Sequence, residues 1–559
     1  MIVTRYETAR RAENKMSKVA HYLQEHLLGE VMTSADARRY FSTDASIFTL
    51  TPSLIVYPRN ENDVRKTTRF AWQLAERGRV IPITARGSGT DQSGAALGSG
   101  IMLVFPAHMN RIIELDPKNG TIVVEPGLNY GRLQQTLHTH ERFLPPYPAS
   151  YEYSTIGGAV ANNAGGEKSL KYGATRGFVK ALRVVLANGE VIETRRLGKR
   201  DLNKKLGLST FEGEIYRALD ALLDENRGLL PKLDLNVTKN AAGYNLYDIK
   251  RPDGSFDLTP LFVGSQGTLG IVTEIVMDTE VYNPAHDLFM AEFDSLEAAE
   301  RAVLELRDMP RLPSSIEMVD GQLLELVDRL NPNQLKDVVS RPFPKAVLFI
   351  EVDDDDRQGK RVVKKIAKLL NDLATKVEHE QEAAAQTRLW KVRQAAASVL
   401  AHSEGQLKAV PIIEDGIVPP NKLQEYIAGV YKLFAAAHLQ PAIWGHAGDA
   451  NLHVQPFLDL SQLGDRQKAF RLIDEYYKLV ISLGGSTTGE HGDGRLRAPY
   501  LEQLYGPELY ELFTKVKAIF DPYGTLNPGV KVGVTLDDIK PLVRNQYSLS
   551  HLYDHMPRS

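Results

Sequence analysis

Four residues in the last quarter of the chain carry the side-chain types that metal-assisted chemistry uses. The stretch WGHAGDANLHVQP holds His446 and His453 seven positions apart, and TTGEHGDGRLR supplies Glu490 and His491 thirty-seven residues further on. On a helix that spacing separates two side chains by about 10 Å along the axis, and on one straight strand an odd offset points them to opposite faces. The intervening Gly448, Asp449, Ala450 and Asn451 are turn chemistry, so the two imidazoles can instead meet across a bend. Two imidazoles and a carboxylate leave coordination positions open for a substrate, which suits a catalytic divalent ion such as zinc or manganese. Any one of these histidines alone reads as a solvated or core imidazole; three histidines and a glutamate among glycines in two loops read as a site.

Two glycine-rich segments point to a second chemistry. RGSGTDQSG opens with Arg86, Gly87, Ser88, Gly89, Thr90, Asp91, Gln92 and Ser93. Its glycines let backbone N–H groups turn toward one point, a nest that holds phosphate oxygens without lysine, although a flexible connection would look the same. TIGGAVANNAGG spans 155–166, and the chain at Gly157, Gly158, Gly165 and Gly166 can approach a flat ring or a pyrophosphate closely. A third segment, VGSQGTLGIVTE at 263–274, repeats the pattern of glycines followed by a strand. The spacing is neither the dinucleotide fingerprint nor a Walker loop, which argues against the two commonest nucleotide folds.

These segments need a scaffold larger than one core, and 559 residues imply two or three domains. A net charge of -3 offers no electrostatic reason to expect nucleic acid or an anionic membrane as partner. The absence of cysteine excludes disulfides, catalytic thiols and cysteine-ligated iron-sulfur clusters from this polypeptide. No run approaches the ~20 apolar residues that cross a bilayer, and residues 1–23 lack the apolar stretch of a signal peptide. A cytoplasmic location is the default, with Met16 a second candidate start that would leave the residues before it as an unstructured leader.

Apolar runs at 53–58, 80–84 and 100–105 read as strands around a helix at 61–77, where Val64, Thr68, Ala71 and Leu74 form one stripe. A helix is expected from about Tyr130, a hairpin around Asn188 and Gly189, and a strand at 271–277 that closes the first unit. A second α+β unit follows: strand 288–295, helices 296–308 and 321–329, strand 346–353, helix 357–373. A last helix covers 507–520. The expected organisation is an N-terminal leader and helical segment at 1–49, then units at 50–282, 283–440 and 441–533, and a tail at 534–559 that packs on another surface or links onward.

The three glycine segments in this order, with GHAGDANLH and GEHG, resemble the vanillyl-alcohol oxidase and p-cresol methylhydroxylase (PCMH) family of FAD proteins. They look most like its branch of D-2-hydroxy-acid dehydrogenases, over about residues 40–533. The resemblance implies an α+β fold: a two-subdomain PCMH-type FAD-binding domain, an α+β substrate (cap) domain and a C-terminal helical segment. It implies that the loop from Arg86 to Ser93 lies on the pyrophosphate, and that Pro148, Ser150, Ser154, Thr155, Gly157, Gly158, Asn162, Ala164 and Gly165 flank pyrophosphate and flavin. Ile271, Glu414 and Asn527 complete the cofactor set. No histidine stands in the first loop, so the implied FAD is noncovalent.

The same resemblance implies His446, His453 and Glu490 as metal ligands and His491 as the catalytic base, accepting the substrate hydroxyl proton while hydride passes to flavin N5. Arg393 matches an arginine that pairs with the substrate carboxylate; a surface cation-π pair with Trp390 is the plainer alternative. Asn451 either hydrogen-bonds substrate or caps its turn. The implied reaction is oxidation of a D-2-hydroxy acid to the 2-oxo acid. D-Lactate is placed ahead of D-2-hydroxyglutarate or glycolate, because Ile413 and Glu414 stand where relatives selective for 2-hydroxyglutarate often carry lysine. The implied partners are the small acid, a separate iron-sulfur or quinone-linked electron acceptor, and a second copy in a homodimer, with peripheral membrane association included. Two other classes remain: a non-catalytic flavin electron-transfer subunit, and a metal-dependent hydrolase that would leave the glycine segments without a role.

Overall fold

A computed structural model describes residues 18–331, 333, 335–336, 338–354, 356–401 and 407–549. The expected leader and the last ten residues of the tail lie outside that range. The apolar runs of the first unit pair in parallel around one amphipathic helix, Glu61–Ala75, whose N-terminus is capped by the Asn60 side chain and which buries Val64, Thr68 and Ala71. The sheet runs Glu30–Met32, Leu54–Tyr57, Ile101–Val104, Ile83–Arg86. The strand expected at 80–84 is displaced to Ile83–Arg86. Pro82, without an N–H, cannot join a ladder as donor, and the shift brings Arg86 and the first glycine loop to the end of the strand. Glu30–Met32 shows that the segment before residue 50 also belongs to this sheet.

A second, antiparallel sheet runs Ile112–Asp116, Thr121–Val124, Ile271–Asp278, Val179–Val185, Val191–Thr194. The hairpin at Asn188 and Gly189 forms as expected, with Gly189 at φ 83°. Ile156–Asn162, read from sequence only as glycine-rich backbone, is a short helix. Two glycines in its first turn oppose helix formation. Thr155 offsets this by accepting from Gly158 N at 3.2 Å, and the helix stops at Asn163 in the left-handed region, φ 55°.

The third sheet is antiparallel and six-stranded: Lys376–Glu380, Asp287–Phe293, Ala346–Val352, Ser315–Asp320, Ile443–His446, Asn451–Val454. The expected helices appear as Leu296–Arg307, Gly321–Leu330, Arg357–Leu373 and Pro507–Phe520. Phe289, Leu348 and Ile350 pack with Val303, Ile366 and Ile473 into one buried core. The hairpin bearing the two histidines is the edge of this sheet, so the sheet runs across the boundary expected at 440/441. Beyond it the chain returns to the first sheet: Ile83 N donates to Thr525 O at 2.7 Å, and Asn527 N to Ile83 O at 2.9 Å.

Candidate functional site

The histidine hairpin pairs Trp444 with His453 and His446 with Asn451. His446 and His453 therefore share one face despite their odd spacing, because the turn between them reverses the chain. Their Nε2 atoms lie 3.5 Å apart. Glu490 Oε1 is 3.0 Å from His446 Nε2 and 3.5 Å from His453 Nε2. Ligand atoms about 2.1 Å from one ion would be roughly 3.0–3.4 Å from each other, so the three donors fit a shared cation. His491 Nε2 is 3.7 Å from the same Glu490 oxygen, and its ring stacks on His453 with centroids 5.3 Å apart.

Carboxylates stand behind the imidazoles on their Nδ1 side. Glu317 lies on the strand beside the hairpin, in register with it through Met318 and Gly445, and its Oε1 is 2.7 Å from His446 Nδ1. Glu414 Oε2 lies 2.7 Å from His491 Nδ1 and 3.5 Å from His453 Nδ1. At His446 the carboxylate keeps the proton on Nδ1 and turns the Nε2 lone pair inward, the arrangement that metal-ligating histidines use, whereas His453 and His491 Nδ1 face Glu414 without a hydrogen bond. Ligand-type atoms of Asp415, His453, Glu490 and His491 also fall within 4.8 Å of one another. The Asp415 oxygens, however, already accept from Glu490 N, His491 N, Asn451 Nδ2 and Thr488 Oγ1. Asp415 thus shapes the loop, and the free donors are the histidines and Glu490.

The charges are unbalanced. Burial pulls the His446 imidazole down, but Glu317 and Glu490 outweigh it and raise it to about 9. His491 is lifted to about 10 against burial, chiefly by Glu414 and Asp415. His453 goes the other way, lowered by burial and by its two cationic neighbours. Glu317 is held at about 2 by His446 and Arg393 despite burial, and Glu490 well below its usual range by Lys239 and His446. An excess of buried carboxylate that recruits protons onto two histidines is what a divalent cation would neutralise.

The other expected site residues make the following contacts within the protein. The Arg393 guanidinium is buried against Glu317, with Nε at 2.9 Å and Nη2 at 2.8 Å from Oε2. It reaches His446 through that carboxylate, and Trp390 stacks on Phe349 rather than under Arg393. Glu414, expected among the cofactor residues, belongs to the histidine cluster and is paired with the buried Arg497. The Asn451 amide donates to Asp415 and Gly416 O, while its Oδ1 is buried without a partner. Arg86 donates to Thr43 O at 2.7 Å and clamps its loop from behind. Asn527 donates to Ala95 O and Gln266 O, again within the protein. Ile271 is a buried partner of Val185 at the start of its strand.

The glycine segments converge. Asp91 accepts from Ser93 N and from Asn162 Nδ2, both at 3.0 Å, which ties the first loop to the helix of the second. A β-carbon at Gly87 would fall 2.3 Å from Thr155 Oγ1, so the first loop fits against the Thr155 side chain only because residue 87 is glycine. Gln92 Oε1 and Ser154 Oγ are buried there without partners, polar atoms suited to a bound polar ligand. Gln266, from the third segment, joins all of them: its Nε2 donates to Asn162 Oδ1 at 3.0 Å and its Oε1 accepts from Gly494 N at 2.8 Å. At the far end of the second segment, a β-carbon at Gly165 would lie 2.7 Å from Glu490 Oε2. The glycine cradle and the histidine cluster are therefore one continuous site.

Sequence comparison agrees with this geometry. Residues 52–195 match the FAD binding domain, and residues 283–530 match the C-terminal domain of FAD linked oxidases. The glycolate oxidase subunit GlcD of Bacillus subtilis is 31% identical across 86% of this chain and 88% of its own length. The D-2-hydroxyglutarate dehydrogenase of Escherichia coli is 32% identical across 90% of this chain but 50% of its own, so the chain spans about half the length of that relative. The D-lactate dehydrogenase of Archaeoglobus fulgidus is 27% identical across 89% and 96%. The 4-ethylphenol oxidase of Gulosibacter chungangensis shares the fold, with a TM-score of 0.68 at 15% identity over 94% of this chain and 98% of its own. The chain belongs to the FAD-linked oxidase family and has a PCMH-type α+β fold.

Proposed function

We propose that this protein oxidises a D-2-hydroxy acid to the corresponding 2-oxo acid, with noncovalent FAD and a divalent metal, zinc or manganese, held by His446, His453 and Glu490. The observation that carries this reading is the convergence of three histidine Nε2 atoms on Glu490 Oε1, each imidazole backed by a buried carboxylate, against the glycine that ends the flavin-side segment. When bound, the metal would acidify the substrate hydroxyl and FAD would accept the hydride. His491 is the base: its Nε2 borders the donor cluster, and a bound cation, by neutralising the carboxylates that otherwise hold this imidazole protonated, would leave it free to take the hydroxyl proton. Glu317 aligns His446 and Arg393 together.

D-Lactate is the favoured substrate. Glu167 is a partly buried carboxyl, raised to about 7 by desolvation and by Glu317, in the field of Arg393 and His446. When ionised, Glu167 opposes a second substrate carboxylate, which places D-2-hydroxyglutarate behind D-lactate. A separate iron-sulfur or quinone-linked protein takes the electrons, in keeping with the similarity to a protein described as a subunit. Among the described residues no helix is long and apolar enough to cross a membrane. Anaerobic flavin reduction against a panel of D and L 2-hydroxy acids, before and after chelation, tests the reading. Fast bleaching by D-lactate that chelation abolishes is expected; L-selective or chelator-insensitive bleaching would overturn it.

A further inference from the structure

We propose that Lys239 is a positioning residue that withholds one oxygen of Glu490 from the metal and so keeps a coordination position open for substrate. This rests on the metal reading above. Lys239 comes from the loop after the helix Phe211–Glu225, far from either histidine motif, and its side chain is 3% exposed. Its ammonium pairs with Glu490 Oε2, while Asp449 Oδ2 is 4.0 Å away. The two oxygens of Glu490 are thereby divided: Oε2 faces Lys239, and Oε1 alone faces the histidines. The division is locked by its surroundings. Ala241 N donates to Thr488 O at 3.1 Å, and Ser486 Oγ to Asn240 Oδ1 at 2.8 Å, so the Lys239 loop is stitched to the Glu490 loop on both sides. Gly165 closes the cage, since a β-carbon there would lie 3.2 Å from Lys239 Nζ.

A carboxylate with both oxygens free can take two positions on one ion, as hard cations often permit. With Oε2 engaged by an ammonium, Glu490 supplies one donor, and a site of two imidazoles and one oxygen keeps room for the hydroxyl and carboxylate of a 2-hydroxy acid. Ordinary outer-contact loss weakens metal binding; loss of Lys239 does the reverse, because it removes a buried cation and frees a ligand oxygen.

The test uses the FAD-loaded full chain, stripped of metal and titrated with Mn2+. Lys239→Met is expected to bind Mn2+ at least as tightly as wild type, read from the electron paramagnetic resonance signal of free Mn2+. The water-proton relaxivity of the bound ion falls by the share of one exchangeable water, and KM for D-lactate rises about tenfold with a smaller change in kcat. Lys239→Arg keeps the pair and the wild-type relaxivity. Lys239→Gln, which keeps a neutral donor and guards against misfolding of the Met variant, falls between them. Wild-type relaxivity in Lys239→Met, or loss of its Mn2+ binding, overturns the proposal while leaving the metal reading intact. Failure of the wild-type protein to bind Mn2+ overturns both.

Discussion

The two halves of the site meet at Gly165 and are built from opposite materials. On the glycine side, contacts run mostly through backbone and neutral amides: Asn162, Gln266 and Asn527 bridge the loops, with Asp91 and the buried Arg86 as charged groups among them. On the histidine side, Glu317, Arg393, Glu414, Arg497, Glu490 and Lys239 are all buried and all paired. Neutral backbone contacts are nearly indifferent to pH but intolerant of added volume. Buried ion pairs respond steeply to the loss of either charge. One half should therefore fail through sterics and the other through electrostatics, and each can be broken without the other.

The largest effect is expected for His491→Ala. Losing a positioned base should slow anaerobic flavin reduction by about 10²–10⁴-fold while the bound-flavin spectrum persists; loss of FAD in that variant would show that the halves are not separable. Glu317→Gln comes next. It leaves His446 and Arg393 without their shared buried anion, and breaking such a pair costs about 3–5 kcal/mol of stability. Metal affinity should drop about 10–100-fold, measured by chelator competition, with FAD retained.

Gly87→Ala probes the other side: its β-carbon would overlap Thr155 Oγ1. A cost of about 1–3 kcal/mol is expected, seen as weaker FAD retention at every pH with metal binding unchanged.

The smallest effect is graded. His446 in the metal-free protein titrates near 9 and must lose its proton to ligate, whereas Glu490 is already ionised and His453 already neutral at pH 7. Metal affinity should therefore rise by about 1.4 kcal/mol per pH unit from neutral pH and level off above about 9. A flat profile in calorimetric titrations would exclude His446 as a ligand. In the metal-free protein the raised His446 and His491 also stabilise the fold below about pH 6.5, and that contribution is lost as pH rises through 9 to 10.

The readable parts of this molecule are those whose chemistry is local in sequence. Strands, the Asn188 and Gly189 hairpin and the amphipathic helices follow from periodicity and turn residues, and the two histidine motifs announce themselves by composition. The partners that make the motifs work do not. Glu317 sits in SIEMVD, and the one available hint was a carboxylate inside an otherwise apolar strand. Lys239 has no local signature, and Gln266 only that of the glycine segment around it, because each matters through a loop more than 200 residues distant. Arg393 and Glu414 were legible as important residues, yet their partners, Glu317 and Arg497, depend on sheet register and loop crossing. The helix Ile156–Asn162 was hidden for a related reason: its propensity is poor, and a single threonine cap with tertiary packing decides it.

The return of residues 525–527 to the strand Ile83–Arg86 also orders events in time. Asn527 fastens both Ala95 beside the first loop and Gln266 in the third, and Arg544 N donates to Ile47 O at 3.0 Å. The four strands of the first sheet are all made early, but the open edge of Ile83–Arg86 is not covered until residues 525–527 have been delivered. Such sequence-distant closure is slow and leaves early segments exposed meanwhile. Cofactor capture is then a late, post-synthetic step, and excising the N-terminal half for separate expression would yield a cradle with its clasp missing.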